Sequence, residues 1–389
     1  MTEKNRENRI YSPIIEQQAT WIVVNPVQGC PKRCRYCFLG AFGQVNVSPQ
    51  VISTSTEAIE QLRASPYYSP TTPICFLTHT DPMATPANYR ILLEMLWACH
   101  SQGVWNPKCF VTKCSIPEIV LEQLVELQQK GHSIIVYLSF SGLDNSIELG
   151  INHQQLQNNF ISVSSAGLPI IHYWRPFLPQ NSSRTTMLRV LSFVAPLAQA
   201  SVVTGLKLYE GMHTQIDFWP SLQQNFAQAL KAEGIWPEGV LNFLAELPEP
   251  YQDYPIFQSN SCALSYVLQK PDMGAFFDTP ACQKYNCCPV SQRLRCQNFY
   301  QNYVPKQEQV ETLLHDFGIT DGRIAIEREA NHWVLKIHGV RLHTEQIAAI
   351  SHRLHCRIEA NLDQNDLYWR SSVVGAGPLE WPLEEDNDT

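Results

Sequence analysis

Before residue 235, six short apolar runs alternate with helix-forming stretches, and this alternation constrains the fold more than any other feature of the chain. The runs are Thr20-Trp21-Ile22-Val23-Val24-Asn25-Pro26, Pro73-Ile74-Cys75-Phe76-Leu77, Lys108-Cys109-Phe110-Val111-Thr112, and the stretches 133–139, 168–174 and 201–208. They read as buried strands. Helix starts between them are legible: Thr54-Ser55-Thr56-Glu57 is a capping-box pattern opening a helix to about Arg63, and Thr85-Pro86 supplies a cap and a first-turn proline for a helix to about His100. Ser115-Ile116-Pro117-Glu118 begins an amphipathic helix ending near Gly131, and helical patterns follow at about 152–166 and 183–198. Strands alternating with helices imply a parallel sheet with helices outside it, curled into a partial barrel or left as a doubly wound open sheet.

Into this frame the first run delivers Gly29-Cys30-Pro31-Lys32-Arg33-Cys34-Arg35-Tyr36-Cys37-Phe38, a loop with three cysteines at spacings of four and three. Thiolates are soft ligands suited to iron-sulfur clusters and zinc, and a short loop brings three together at little closure cost. Zinc would want a fourth protein ligand, and no His, Asp or Glu lies between Trp21 and Thr56. The alternatives from the residues alone are a 4Fe-4S cluster with one open iron, a small zinc knuckle, or three unrelated buried thiols. The pattern Cys-x3-Cys-x-aromatic-Cys, with Tyr36 as the aromatic, resembles the signature of the radical S-adenosylmethionine enzymes. That resemblance implies a partial (βα)6 TIM-like barrel and a 4Fe-4S cluster on Cys30, Cys34 and Cys37. It also implies S-adenosylmethionine on the open iron, cleaved reductively to a 5'-deoxyadenosyl radical.

Site residues of such barrels collect at the carboxyl ends of the strands, and here those ends are polar. They read Thr78-His79-Thr80-Asp81-Pro82-Met83, Thr112-Lys113-Cys114, Ser139-Phe140-Ser141 and Arg175-Pro176-Phe177-Leu178-Pro179. With Glu148-Leu149-Gly150 and Ala166-Gly167-Leu168-Pro169, these stretches look like the spore photoproduct lyase and DNA-repair-photolyase-like branch over roughly residues 20 to 210. They depart from it at Leu149, where proline is usual. The resemblance implies that Lys113 and Ser139 or Ser141 hold the amino-acid end or ribose of S-adenosylmethionine, a cation suiting its carboxylate and hydroxyls its ribose. Tyr36 and Arg175 join them as cofactor-binding candidates. Asp81 either orients the same ligand or forms a turn before Pro82, and Lys113 is otherwise a strand-end charge in water. Cys114 and Cys75 are candidate hydrogen-atom donors to a substrate radical, with packing in a buried strand as the plainer role.

A second cysteine group, Cys262, Cys282, Cys287, Cys288 and Cys296, falls within 35 residues, with Lys284, Arg293 and Arg295 among them. A second Fe-S cluster, a zinc site and a set of structural thiols are the alternatives, although adjacent Cys287 and Cys288 diverge too much to face one cluster. The expected division is an arm over 1–18, the barrel over 19–235, a Cys-rich extension over 236–303, a small α+β domain over 304–380 and an acidic tail over 381–389. Within the α+β part the expected elements are a helix, strands Arg323-Ile324-Ala325-Ile326 and Trp333-Val334-Leu335-Lys336-Ile337, helix 344–354, and strands near Cys356-Arg357-Ile358-Glu359 and Leu367-Tyr368-Trp369-Arg370. His352, His355 and Cys356 read as a helix end entering a strand.

The chain of 389 residues has 13 cysteines, a formal net charge of −8 and a pI near 5.8. That charge argues against a sequence-blind grip on nucleic acid. The polar N-terminus and the lack of any apolar run of about 18 residues give the expectation of a cytoplasmic protein with no membrane partner, whose thiols serve metals or chemistry. The resemblance implies a reductant such as flavodoxin or ferredoxin. It nominates a nucleic-acid base or nucleotide as substrate for a lyase or other radical transformation, while the acidic charge and second cysteine group fit a peptide or small molecule as well. A non-catalytic metal-binding module, with both cysteine groups structural, is the rival class.

Overall fold

The computed structural model describes residues 12–230, 235, 237–274, 277–278, 282, 288–320, 323–329 and 332–360. In order these form β1 (Ile15–Gln17), β2 (Ile22–Val24), β3 (Val27–Gln28), β4 (Arg33–Cys34), β5 (Gln50–Val51), α1 (Ser55–Ala64), β6 (Ile74–Phe76), α2 (Pro86–Ser101), β7 (Lys108–Thr112), α3 (Glu118–Gln129), β8 (Ile134–Leu138) and β9 (Glu148–Leu149). Next come α4 (His153–Ser165), β10 (Ile170–Trp174), α5 (Arg184–Val194), β11 (Ala200–Val203), α6 (Pro220–Gln224), α7 (Phe226–Ala229), α8 (Glu238–Ala245), β12 (Ile256–Phe257) and α9 (Asn260–Val267). The last described elements are α10 (Val290–Asn302), α11 (Gln307–Asp316), β13 (Arg323–Glu329), β14 (His332–His338), α12 (Thr344–Leu354) and β15 (Arg357–Glu359).

The main sheet has eight strands in the order β1-β2-β6-β7-β8-β10-β11-β12, and all neighbours are parallel except β1 with β2. It is an α/β sheet left open at β1 and β12, and the six expected strands lie at its centre in chain order. Two additions were not expected. Ile15–Gln17, part of the expected arm, closes one edge as an antiparallel strand, and Ile256–Phe257, from the expected Cys-rich extension, extends the other. Both are too short to carry a periodic signal; pairing with a preformed neighbour makes them strands.

The predicted caps form. Thr54 Oγ1 accepts the Glu57 N–H at 3.3 Å while the Glu57 carboxylate accepts the Thr54 N–H at 3.0 Å, and Thr85 Oγ1 accepts the Asn88 N–H at 3.2 Å ahead of a first-turn proline. Alternation within each strand then divides the core. Ile22, Val24, Phe76, Phe110, Val136 and Trp174 face the helices, whereas Trp21, Val23, Cys75, Cys109, Tyr137 and Val202 line the other face with Ala263 and Leu264 of α9. Because both faces are covered, the central strands β2, β6 and β8 read as continuously apolar.

β13, β14 and β15 form a separate three-stranded sheet packed on α11 and α12, with Leu314, Leu335, Ile337, Ile350 and Ile358 in its core. It leans on the first part of the chain: His352 Nε2 lies 2.8 Å from the Ala19 carbonyl, Arg353 donates to the carbonyls of Pro66 and Tyr68, and Tyr67 and Phe317 stack at 6.0 Å. His355 ends α12 in the left-handed region at φ 46° and Cys356 is buried, as expected of a helix end entering a strand. The expected strand near Leu367 and the acidic tail lie outside the described residues. No helix among the described residues is long and apolar enough to cross a membrane.

At the sheet centre His172 is fully buried, with Nε2 2.7 Å from the Phe140 carbonyl and Nδ1 2.8 Å from Ser201 Oγ, which lies 3.0 Å from Tyr254 OH. A carbonyl only accepts, so Nε2 carries the proton and Nδ1 accepts from Ser201. Burial pushes the imidazole pKa down to about 3. The unfolded chain therefore binds a proton at this site between about pH 6.5 and 3 that the folded chain does not, so stability falls as pH falls through that window. Urea midpoints taken from pH 7 to pH 4 should fall in the wild type and fall less steeply in His172→Gln, even though the variant starts less stable.

Candidate cofactor site

The cysteine loop is held from several directions. Gly29 sits at φ +91°, where a Cβ would lie 2.9 Å from Val47 Cγ2, and its N–H donates to the His79 carbonyl at 3.1 Å. The loop then turns back on itself: Cys30 N–H donates to Gln44 O at 2.9 Å and Cys37 N–H to Cys34 O at 3.1 Å. Across the molecule, β4 pairs with β9, setting Cys34 opposite Glu148 and Arg33 opposite Leu149. Lys32 Nζ reaches the Gly150 carbonyl at 3.0 Å, and Tyr209 OH donates to the Arg35 carbonyl at 3.0 Å while Arg35 donates to Gln215 O at 3.0 Å.

Cys30 and Cys34 are buried and Cys37 is half-buried. Burial, followed by the Asp81 charge, pushes the Cys30 thiol up to about 12. Burial raises Cys34 and Cys37 as well, against the opposing pull of Lys113 on both. Among the described residues, no three His, Cys, Asp or Glu side chains are drawn together at metal-holding distance. The donor set itself, three thiols sensing one another's charge in one loop beside two cations, Lys113 and Arg175, fits an iron-sulfur cluster by its chemistry.

The strand ends beside the loop converge on a residue the sequence did not single out. Glu148 is fully buried, and its Oε1 accepts from Lys113 Nζ at 2.8 Å, from Ser141 Oγ at 2.8 Å and from the Tyr36 hydroxyl. Oε2 lies 3.6 Å from His153 Nδ1 and has no hydrogen-bond partner. Lys113 Nζ also donates to the Ser139 carbonyl at 3.0 Å and stands 5.6 Å from the Tyr36 ring centroid. Burial, then the Glu148 charge, raises the Tyr36 pKa well above the usual phenol value, so the hydroxyl keeps its proton. An acid in the loop after a strand, with Asp144 as a second acid nearby, was the available signal; its partner Tyr36 lies 112 residues away, which no local pattern reveals.

Of the candidates read from sequence, Tyr36, Lys113, Ser139 and Ser141 come together at this point. Ser139 does so through its carbonyl. Arg175 lies one strand further, its Nη1 donating to Tyr173 OH at 2.9 Å with the guanidinium over that ring. Asp81 takes the turn-forming role: Oδ1 accepts from Thr112 Oγ1 at 2.7 Å and Met83 N–H at 2.8 Å, and Oδ2 from Lys113 N–H at 2.7 Å. It pins the end of β6 to the end of β7. Cys75 sits mid-strand opposite Cys109 on the face covered by α9, while Cys114 packs in the layer between sheet and helices.

In the second cysteine group, Cys296 Sγ accepts the Asp272 N–H at 3.3 Å, and Cys262 and Cys288 pack against one apolar cluster. Burial raises Cys262, with the Asp272 charge next, and raises Cys296 to about 12. Cys287 and Lys284 lie outside the described residues. Arg293 donates to the Cys288 carbonyl, and Arg295 to Gln292 and Gln269.

No family model and no curated protein matches the chain. Solved structures do. SuiB from Streptococcus suis bound to S-adenosylmethionine is 16% identical at a TM-score of 0.41, covering 58% of this chain and 47% of its own, so the match spans about half of that protein. A variant of spore photoproduct lyase with a dinucleoside spore photoproduct is 13% identical at 0.41, covering 50% of this chain and 58% of its own. A radical SAM methyltransferase from Sphaerobacter thermophilus is 14% identical at 0.37, covering 58% and 69%.

The Gly29 geometry makes a direct forecast. Gly29→Ala should lower unfolding stability by about 1–2 kcal/mol in urea titrations, because the new Cβ meets Val47 in a backbone region L-residues avoid. An unchanged midpoint would show that the loop relaxes freely.

Proposed function

We propose that the chain is a radical S-adenosylmethionine enzyme, working in the cytoplasm with a small electron donor such as flavodoxin or ferredoxin. The observation that carries this reading is the Cys30, Cys34, Cys37 loop held by β9 against the ends of β7 and β8, where a half-buried cation and phenol meet a buried carboxylate. In this reading Cys30, Cys34 and Cys37 hold a 4Fe-4S cluster. That cluster would supply one electron to the sulfonium of S-adenosylmethionine, giving methionine and a 5'-deoxyadenosyl radical.

The chain's own residues bind and orient. Lys113 presents an ammonium to the ligand carboxylate, Tyr36 lies beside it, and Arg175 contributes a second cation near Cys37. Asp81 fixes the Lys113 backbone. We place the substrate as a nucleic-acid base or nucleotide, on the motif resemblance at the strand ends; a peptide or small molecule is the alternative that the net charge of −8 favours.

Anaerobic reconstitution with iron and sulfide, followed by dithionite and S-adenosylmethionine, should yield a 4Fe-4S absorption band and 5'-deoxyadenosine. A fully loaded cluster that releases none would overturn the enzyme reading in favour of a metal-binding module.

The second cysteine group is assigned in the same proposal to an auxiliary iron-sulfur cluster, on the density of its cysteines, five within 35 residues. Replacing Cys30, Cys34 and Cys37 together by Ala should then leave about half of the reconstituted iron, since the ligand sets are separate. One retained zinc instead would make the site structural zinc, and no metal would make it a set of buried thiols.

A further inference from the structure

Glu148 does two jobs that a residue chosen only for packing would not combine. Its main chain pairs with Cys34 in the β4–β9 ladder, and its side chain collects three donors from three different segments: Lys113, Ser141 and Tyr36. A carboxyl group at zero exposure is held by what its oxygens meet: Lys113 Nζ lies 2.8 Å from Oε1, while Oε2 has His153 Nδ1 at 3.6 Å.

Counting hydrogens shows what this arrangement prepares. An ammonium has three N–H donors. Lys113 spends one on Glu148 Oε1 and one on the Ser139 carbonyl, so two fixed acceptors orient the remaining one. The Tyr36 hydroxyl spends its only hydrogen on Glu148, which turns the phenol oxygen into an acceptor for any further partner. Ser141 is used up: its hydroxyl donates to Glu148 and accepts the Leu143 N–H at 3.2 Å, so it supports Glu148. What is left for a ligand is one aimed cationic donor and one phenol acceptor side by side, beside the thiols. That pair complements the carboxylate and the amino group of an α-amino acid.

Without the carboxylate, Lys113 has other places to go. With Glu148 gone its one remaining hydrogen-bond partner among the described residues is the Ser139 carbonyl at 3.0 Å, so the ammonium is free to rotate away from the ligand side. We infer that Glu148 is the positioning residue for the amino-acid end of the cofactor, acting through Lys113 and Tyr36 and not by contact of its own. This inference rests on the proposed use of S-adenosylmethionine.

The test compares two ligands on anaerobically reconstituted protein: S-adenosylmethionine, and 5'-methylthioadenosine, which has no amino-acid end. Glu148→Ala should keep the wild-type iron content, because the β4–β9 pairing is main-chain. It should weaken S-adenosylmethionine binding by about tenfold or more, measured by equilibrium dialysis, and leave 5'-methylthioadenosine within about twofold. Glu148→Gln keeps an acceptor oxygen and should restore most of that affinity. Equal binding of S-adenosylmethionine by Glu148→Ala and wild type, or an equal loss for both ligands, would overturn the inference. Should Glu148→Ala fail to fold, Tyr36→Phe removes the acceptor and leaves the Lys113 pair intact; a wild-type affinity there overturns it too. A wild type that holds its cluster yet binds no S-adenosylmethionine removes the functional reading itself, a different outcome from a selective or absent effect in the variants.

Discussion

The two-residue ladder between Arg33–Cys34 and Glu148–Leu149 is the contact on which the rest of the site depends. A cysteine loop leaving the first central strand has no regular structure of its own, and its polar main chain must find partners elsewhere. β9 provides them, and because β9 also carries Glu148, the same short pairing sets the loop against the ends of β7 and β8. Lys32 reaching Gly150 closes the contact at one end and Tyr209 reaching Arg35 holds the loop from another side.

The frame was legible in the sequence because its signals are local. Six apolar runs, the Thr54 and Thr85 caps and the turn residues each act within a few positions, and the strands between 74 and 203 fall where those signals put them. β1, β9 and β12 were not legible: strands of two or three residues have no period, and only a neighbour makes them strands. The same limit separates the site candidates. The three cysteines lie in one loop and could be grouped by spacing, whereas Glu148 acquires its partners only when Tyr36, Lys113 and Ser141 arrive from distant parts of the chain. Asp81 was readable in two ways, and the bonds it accepts from the Met83 and Lys113 main-chain N–H groups are those of the turn.

Burial explains why so many thiols do not make so many sites. Cys75 and Cys109 face each other across β6 and β7 in an apolar cluster, and Cys99 and Cys356 are likewise enclosed, with pKa values pushed up to about 12 by burial. Enclosed in this way, they behave as small apolar side chains. What distinguishes Cys34 and Cys37 is their place in one short loop with Cys30, beside Lys113 and Arg175.

His352 and Arg353, near the end of the described chain, grip the backbone at Ala19, Pro66 and Tyr68, a separation of 333 residues for the first of these contacts. Ribosomes add roughly 5–20 residues per second. The segment around Ala19, next to the strand that delivers the cysteine loop, is therefore made roughly 15 to 70 seconds before the helix that braces it exists. During that interval the loop and its thiols stand on an edge whose outer support is still unmade, so the final order of that edge is a late event in the life of a newly made chain.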